Sequence, residues 1–257
     1  MAEGAELIRC ALDAGVPIES VYVSPDGADD RAVQEVCRRA EVAGVRVFPL
    51  GAGVLERVAD TVTPQPVLAV LPMLDEPPAG SDPWSAHDGA LIVVLVDVRD
   101  PGNAGTVLRA ADASGSALVV FAGDSVDPYN PKTVRSSAGS LFHVPLAVRH
   151  DPGALATELA GTGFRALATV VRGGEDYADL DWSTPSALFL GNESSGLPPD
   201  LAGALSGSLG IPMAGRAESL NVGVACAVVC FEAFRQRRGG GAAPRSIADG
   251  GTAQAGT

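Results

Sequence analysis

Three stretches of this chain pair small residues with Asn, Glu, Ser or Arg at spacings that can do chemistry. In the first, Asp97-Val98-Arg99-Asp100-Pro101-Gly102-Asn103 reads as a strand end, a Pro-Gly turn and, with Asn103 as N-cap, a helix start. Arg109 falls two turns into that helix, its side chain leaning back towards the N-terminus past Gly105 and Thr106. A guanidinium aimed at a helix N-terminus suits a phosphate or ribose partner. The competing role is a structural ion pair with Asp97, Asp100 or Asp112. The second and third stretches are Leu190-Gly191-Asn192-Glu193-Ser194-Ser195-Gly196-Leu197 and Ile211-Pro212-Met213-Ala214-Gly215-Arg216-Ala217-Glu218-Ser219-Leu220-Asn221. Each reads as a strand that ends in a polar loop of small residues, where a ligand can approach the backbone closely. Asn192 can donate and accept while an ionised Glu193 only accepts, so the pair either binds a ligand or caps a turn.

A fourth stretch is basic. After the Pro-flanked turn Asp127-Pro128-Tyr129-Asn130-Pro131, Lys132 and Arg135 lie three apart on a helix start. They form either an RNA contact or a solvated helix face. Arg235, Arg237 and Arg238 follow a long apolar helix and complement its C-terminal dipole, with an RNA contact as the alternative.

The elements that must position these residues alternate along the chain. Helices are expected over 5–14 and 30–43, and strands over 20–23, 45–50 and 66–73, which makes a small α/β unit. Residues 74–90, rich in Pro, Gly and Asp, read as a linker. The run 91–98 reads as a buried parallel strand and opens a second unit. Further strands are expected over 117–121, 143–146, 166–171, 187–190 and 209–213. A helix over 220–234, apolar nearly all round, must be buried or lie in an interface. The domain pattern expected is therefore 1–73, linker 74–90, 91–238, and a disordered Gly/Ala-rich tail 239–257.

Composition limits the partners. The 257 residues carry a net charge of −13, which by itself argues against RNA, and Lys132 is the single lysine. A local basic patch can still bind RNA. No apolar run reaches the roughly 18 residues of a membrane span, and the N-terminus lacks the order of a signal peptide. A soluble cytoplasmic chain with no membrane partner is expected. Cys10, Cys37, Cys226 and Cys230 show no metal spacing with His87, His143 or His150, so no metal is expected, and Cys226 and Cys230, four apart on an apolar helix, read as buried thiols.

Taken in order, the segments around Asn103 and Arg109, around Gly191-Asn192-Glu193, and from Ile211 to Asn221 closely resemble the three motifs of the SpoU/TrmH family. These are RNA 2′-O-ribose methyltransferases of the knotted SPOUT class. The resemblance implies an α/β parallel sheet with a C-terminal trefoil knot, preceded by a small α/β substrate-binding domain. It implies S-adenosyl-L-methionine as cofactor and a homodimer with the site at the subunit boundary. It makes Arg109 the catalytic residue, with Asn103, Asn192, Glu193, Ser219 and Asn221 organising the catalytic side. Leu190, Gly191, Ile211, Met213 and Leu220 would contact the cofactor, and Lys132 and Arg135 the RNA. Since a guanidinium is not expected to lose a proton in proteins, Arg109 is read as a phosphate clamp that stabilises a developing alkoxide, not as a base.

For the first unit the resemblance rests on Glu3-Gly4 followed by helix and strand. The chain opens inside what would be that domain's first strand, which leaves room for missing leading residues. A separate substrate domain favours 23S ribosomal RNA over transfer RNA as the target. The alternatives are a transfer-RNA 2′-O-methyltransferase, a catalytically inactive RNA-binding dimer, and a nucleotide-dependent oxidoreductase, which lacks its G-x-G-x-x-G fingerprint here.

Overall fold

A computed structural model of the chain describes residues 1–58, 63–74 and 90–239. Apart from their end residues, the expected linker and tail lie outside the described residues. The first unit runs β1 (Ala2–Glu3), α1 (Ala5–Asp13), β2 (Ser20–Val23), α2 (Arg31–Val42), β3 (Arg46–Pro49), α3 (Leu55–Val58) and β4 (Val67–Val70). Its sheet has the order β1-β4-β2-β3; β4 is antiparallel to both neighbours and β3 is parallel to β2. Helix α2 starts where it does because the Asp30 carboxylate accepts from the amides of Ala32 and Val33, at 2.7 and 3.2 Å. The apolar stripes of α1 and α2, including Ile8, Val33 and Val36, are buried with Val21, Val67 and Ala69 of the sheet.

The second unit runs β5 (Leu91–Val96), α4 (Pro101–Ser114), β6 (Leu118–Ala122), α5 (Pro131–Ser136), β7 (Leu146–Arg149), α6 (Pro152–Gly161), β8 (Arg165–Thr169), β9 (Glu175–Asp176), β10 (Ser186–Leu190), α7 (Pro199–Ala204), β11 (Gly207–Gly210) and α8 (Val222–Gly239). Its seven strands are all parallel, in the order β7-β6-β5-β10-β8-β11-β9. Every residue of β5, β6 and β10 is buried, as expected for strands covered on both faces. One face packs under α4, α5 and α8, in a core that includes Leu108 and Val134 and also takes in Ile8 and Val33 of the first unit. The other packs under α6 and α7, around Ile92, Phe189 and Leu159.

Three local expectations are corrected. Asp100, not Asn103, caps α4: its carboxylate accepts the Asn103 amide at 2.8 Å, and Pro101 takes the first helical position. The strand expected at 143–146 is β7, three residues further on. His143 and Val144 close a turn onto the Ser140 carbonyl, and Pro145 has no amide to offer a ladder. The strand expected over 209–213 ends at Gly210, so Ile211 to Met213 belong to a loop. Helix α8 is less enclosed than its composition implies, because Val224 and Phe231 are each 46% exposed. Cys226 and Cys230 are fully buried on it, their sulfurs 3.6 Å apart.

Candidate functional site

The first-turn side chains of α4 and the loops after β10 and β11 meet at the carboxyl ends of the parallel strands. Asp97, at the end of β5, takes a left-handed backbone with φ of 55° and turns the chain sharply into α4. The Asn192 side-chain amide holds that turn by donating to the Asp97 carbonyl at 2.8 Å. Asn192 Oδ1 in turn accepts from the amides of Ser194 and Ser195, which folds the loop after β10 over itself. The loop closes so tightly that a Cβ on Gly191 would sit 2.2 Å from the Gly196 carbonyl carbon. Glycine is required at 191 by this close approach.

At the centre stands a polar chain of three residues. Asn103 Nδ2 donates to Glu193 Oε1 at 2.9 Å, and Asn221 Nδ2 donates to Asn103 Oδ1 at 2.8 Å. Asn221 Oδ1 accepts from the amides of Gly223 and Val224 and so caps α8. An ionised Glu193 can only accept, so the orientation of both amides is fixed in one sense along the chain. Burial pushes the Glu193 pKa up, but the Asn103 side chain and the backbone amides, including those of Asp100 and Arg99, outweigh it. The carboxyl is therefore held below its ordinary value, charged and a poor proton acceptor.

These residues edge a cavity of about 540 Å³, in the size range of small-molecule sites. Leu190, Gly191, Asn192, Glu193, Ile211, Met213, Ser219, Leu220, Asn221 and Asn103 all line it, so the structure brings together ten of the residues singled out in the sequence. Its wall also includes Thr169, Val170 and Val171 at the end of β8, and Leu209 and Ala225. The sequence did carry a signal for the β8 residues, since ligands gather beyond the carboxyl ends of parallel strands. Leu190, Leu209, Ile211 and Leu220 supply apolar surface. Among the described residues, no amide from Ile211 to Asn221 donates to a backbone carbonyl. An apolar floor beside main-chain amides that donate to no backbone carbonyl fits a nucleoside carrying a short aliphatic chain.

Arg109 lies outside this lining, exposed on α4. Its three candidate carboxylate partners are committed elsewhere: Asp97 to the Asp124 amide, Asp100 to the cap and Asp112 to His143 at 3.1 Å. Lys132 is exposed on α5, and its backbone amide is capped by Asn130. Arg135, one turn on, reaches across to Glu3 of the first unit at 3.4 Å. At the end of α8, Arg235 pairs with Glu232 at 2.7 Å, Arg237 donates to the Ala233 carbonyl, and Arg238 lies over the Phe234 ring. Among the described residues no three His, Cys, Asp or Glu side chains gather as metal ligands would.

A wholly parallel sheet with helices on both faces and a pocket beyond three strand ends defines an α/β protein of the class that binds ligands at its strand ends. Residues 90–231 match the SpoU rRNA Methylase family, and residues 1–77 match the substrate-binding domain of RNA 2′-O ribose methyltransferases. The chain belongs to the SpoU rRNA methylase family. It is 36% identical over 232 residues to the 23S rRNA (guanosine(2553)-2′-O)-methyltransferase RlmP of Bacillus subtilis, covering 90% of this chain and 86% of that one. It is 31% identical to a 23S rRNA (uridine(2479)-2′-O)-methyltransferase of Streptomyces viridochromogenes, over 92% and 83% of the two chains. Among solved structures, an AdoMet-bound rRNA methyltransferase of Sinorhizobium meliloti superposes with a TM-score of 0.76 at 33% identity, covering 91% of this chain and 86% of that one. AviRb of Streptomyces viridochromogenes with AdoMet superposes with a TM-score of 0.78 at 30% identity, over 93% and 90%.

Proposed function

We propose that this protein methylates a ribose 2′-hydroxyl of 23S ribosomal RNA, with S-adenosyl-L-methionine as donor. The observation that carries the reading is the Glu193–Asn103–Asn221 chain at the rim of a pocket with an apolar floor and main-chain amides that donate to no backbone carbonyl. Leu190, Gly191, Ile211, Met213 and Leu220 would hold the cofactor, which when bound supplies an electrophilic methyl group. The chain's own residues do the rest. Glu193 is a poor base, so it positions: it fixes Asn103, which with Asn192, Ser219 and Asn221 shapes the catalytic side. Arg109 places a fixed positive charge for the phosphate next to the target ribose. The same charge lowers the cost of losing the hydroxyl proton to water as the oxygen attacks. Lys132 adds a phosphate contact.

The reading includes a homodimer. The exposed Val224 and Phe231 of α8 give such a contact an apolar stripe beside α4, the helix that carries Arg109. It also includes a cytoplasmic location and the trefoil threading of the C-terminal segment. No helix among the described residues is long and apolar enough to cross a membrane.

Mass spectrometry of nucleosides from RNA incubated with protein and donor tests the chemistry. A 2′-O-methylated nucleoside is expected. A base-methylated one would overturn it, and no product despite S-adenosylhomocysteine binding would favour an inactive RNA-binding dimer.

A further inference from the structure

The outer face of the first sheet carries a feature that the pocket does not use. Side chains alternate along a strand, so Val21, Val67 and Ala69 point to the helices while Tyr22, Phe48 and Arg46 share the opposite face. Tyr22 and Phe48 are register partners on β2 and β3, and their rings stack with centroids 5.4 Å apart and planes 22° from parallel. The Arg46 guanidinium lies over the Phe48 ring, 5.5 Å from its centre. Neither ring joins the continuous core, and both keep part of their surface in solvent. Strand β3 is the edge of the sheet, with no further strand paired to it among the described residues.

Charge sets this cluster apart from a plain cross-strand pair. In the same unit Arg9, Arg38 and Arg39 are tied to carboxylates, namely Glu6 and Asp13, Glu35, and Asp13, while Arg31 and Arg57, like Arg46, form no ion pair among the described residues. Among the described residues Arg46 has an aromatic partner but no carboxylate in ion-pair reach, and it is exposed. In a chain of net charge −13, a cation left uncompensated and laid flat on an aromatic ring is suited to a flat, electron-rich, anionic ligand. Unpaired nucleobases on a phosphate backbone are such a ligand, because each offers a π-face and its phosphate neutralises the arginine.

We propose that Tyr22, Phe48 and Arg46 form a stacking platform that grips unpaired nucleotides of the RNA substrate, away from the methyl-transfer pocket. The platform rests on the methyltransferase reading for its substrate but can be measured apart from it. The probe is a labelled single-stranded oligoadenylate of about ten nucleotides, set against an RNA duplex of the same length. Full-length chain should bind the single strand more tightly. Phe48→Leu, which keeps an apolar side chain but loses the π-face, and Arg46→Gln should each weaken that binding about tenfold. Should Phe48→Leu fail to fold, Arg46→Gln at its exposed position decides, with S-adenosylhomocysteine titration reporting an intact pocket. Wild-type affinity in the variants, a duplex bound as tightly as the single strand, or no binding by the unaltered chain would each overturn the platform. The KM for ribosomal RNA separates the two claims. Methyl transfer with an unchanged KM in both variants sinks the platform and leaves the function standing. Oligoadenylate binding lost in the variants, with no methyl transfer by the unaltered chain, sinks the function and leaves the platform.

Discussion

Asn103 serves two partners of opposite need, donating to Glu193 and accepting from Asn221. Asn103→Asp keeps the shape but sets a second carboxylate against Glu193, so the chain must break. A displacement of about 1 Å in a positioning group can cost around 100-fold in rate, and a loss of kcat of that order is expected in single-turnover methyl transfer. Glu193 makes a prediction about stability. Its folded pKa lies below the unfolded one, so its contribution is present above the ordinary carboxylate range and is lost as pH falls through the lowered folded value. Melting curves of wild type and Glu193→Gln should differ at neutral pH and converge towards the acid end; a constant gap would contradict the hydrogen-bonded carboxylate. Residue types and spacing were legible here, since the sequence singled out ten residues that line the cavity. The partners were not legible. Asn103 reads from sequence as an N-cap, whereas Asp100 caps α4 and leaves the Asn103 side chain for Glu193, ninety positions away.

Helix α4 carries Asn103 on its first turn and is held against α5 by a contact that tolerates no side chain. A Cβ on Gly105 would sit 2.0 Å from Ser136 Oγ and 2.6 Å from the Ser136 backbone carbon. That serine is pinned by its own bond to the Pro101 carbonyl at 2.8 Å. Gly105→Ala must push the two helices apart, and overpacking of this kind costs about 2 kcal/mol. A fall in Tm of roughly 4–8 °C is expected by calorimetry. An unchanged Tm would show that the helices do not sit this close. Periodicity located most elements, because buried parallel strands such as β5 and β10 are nearly continuous apolar runs. It failed where a local turn competes: the Ser140–Val144 turn displaces β7, and Pro212 lies just past the end of β11. Nothing in the periodicity marks Gly105 as a helix contact, because close approach is a tertiary property.

Across the whole molecule, the two sheets are tied by Arg135 to Glu3, by the Tyr129 hydroxyl donating to the Leu74 carbonyl at 2.7 Å, and by Cys10 against Gly139. Lys132 and Arg135 read alike in the sequence as RNA contacts, yet only Lys132 faces open solvent. Lys132→Ala should therefore reduce the slope of log affinity for RNA against log salt by about one. Arg135→Ala removes the cation facing a Glu3 side chain that is only 8% exposed. It should lower stability by about 1 kcal/mol, read as a drop of roughly 2–4 °C in Tm. Equal effects of both substitutions on the salt slope would contradict this division. The net charge of −13 points away from RNA because a whole-chain sum, 18 basic against 31 acidic residues, carries no record of where the cations lie. The most direct measurement is transfer of labelled methyl from S-adenosylmethionine to unmodified large-subunit ribosomal RNA, small-subunit ribosomal RNA and bulk transfer RNA in parallel. Alkali-resistant label confined to large-subunit RNA is the predicted result. Label in transfer RNA alone, or in no pool despite S-adenosylhomocysteine binding, would contradict it.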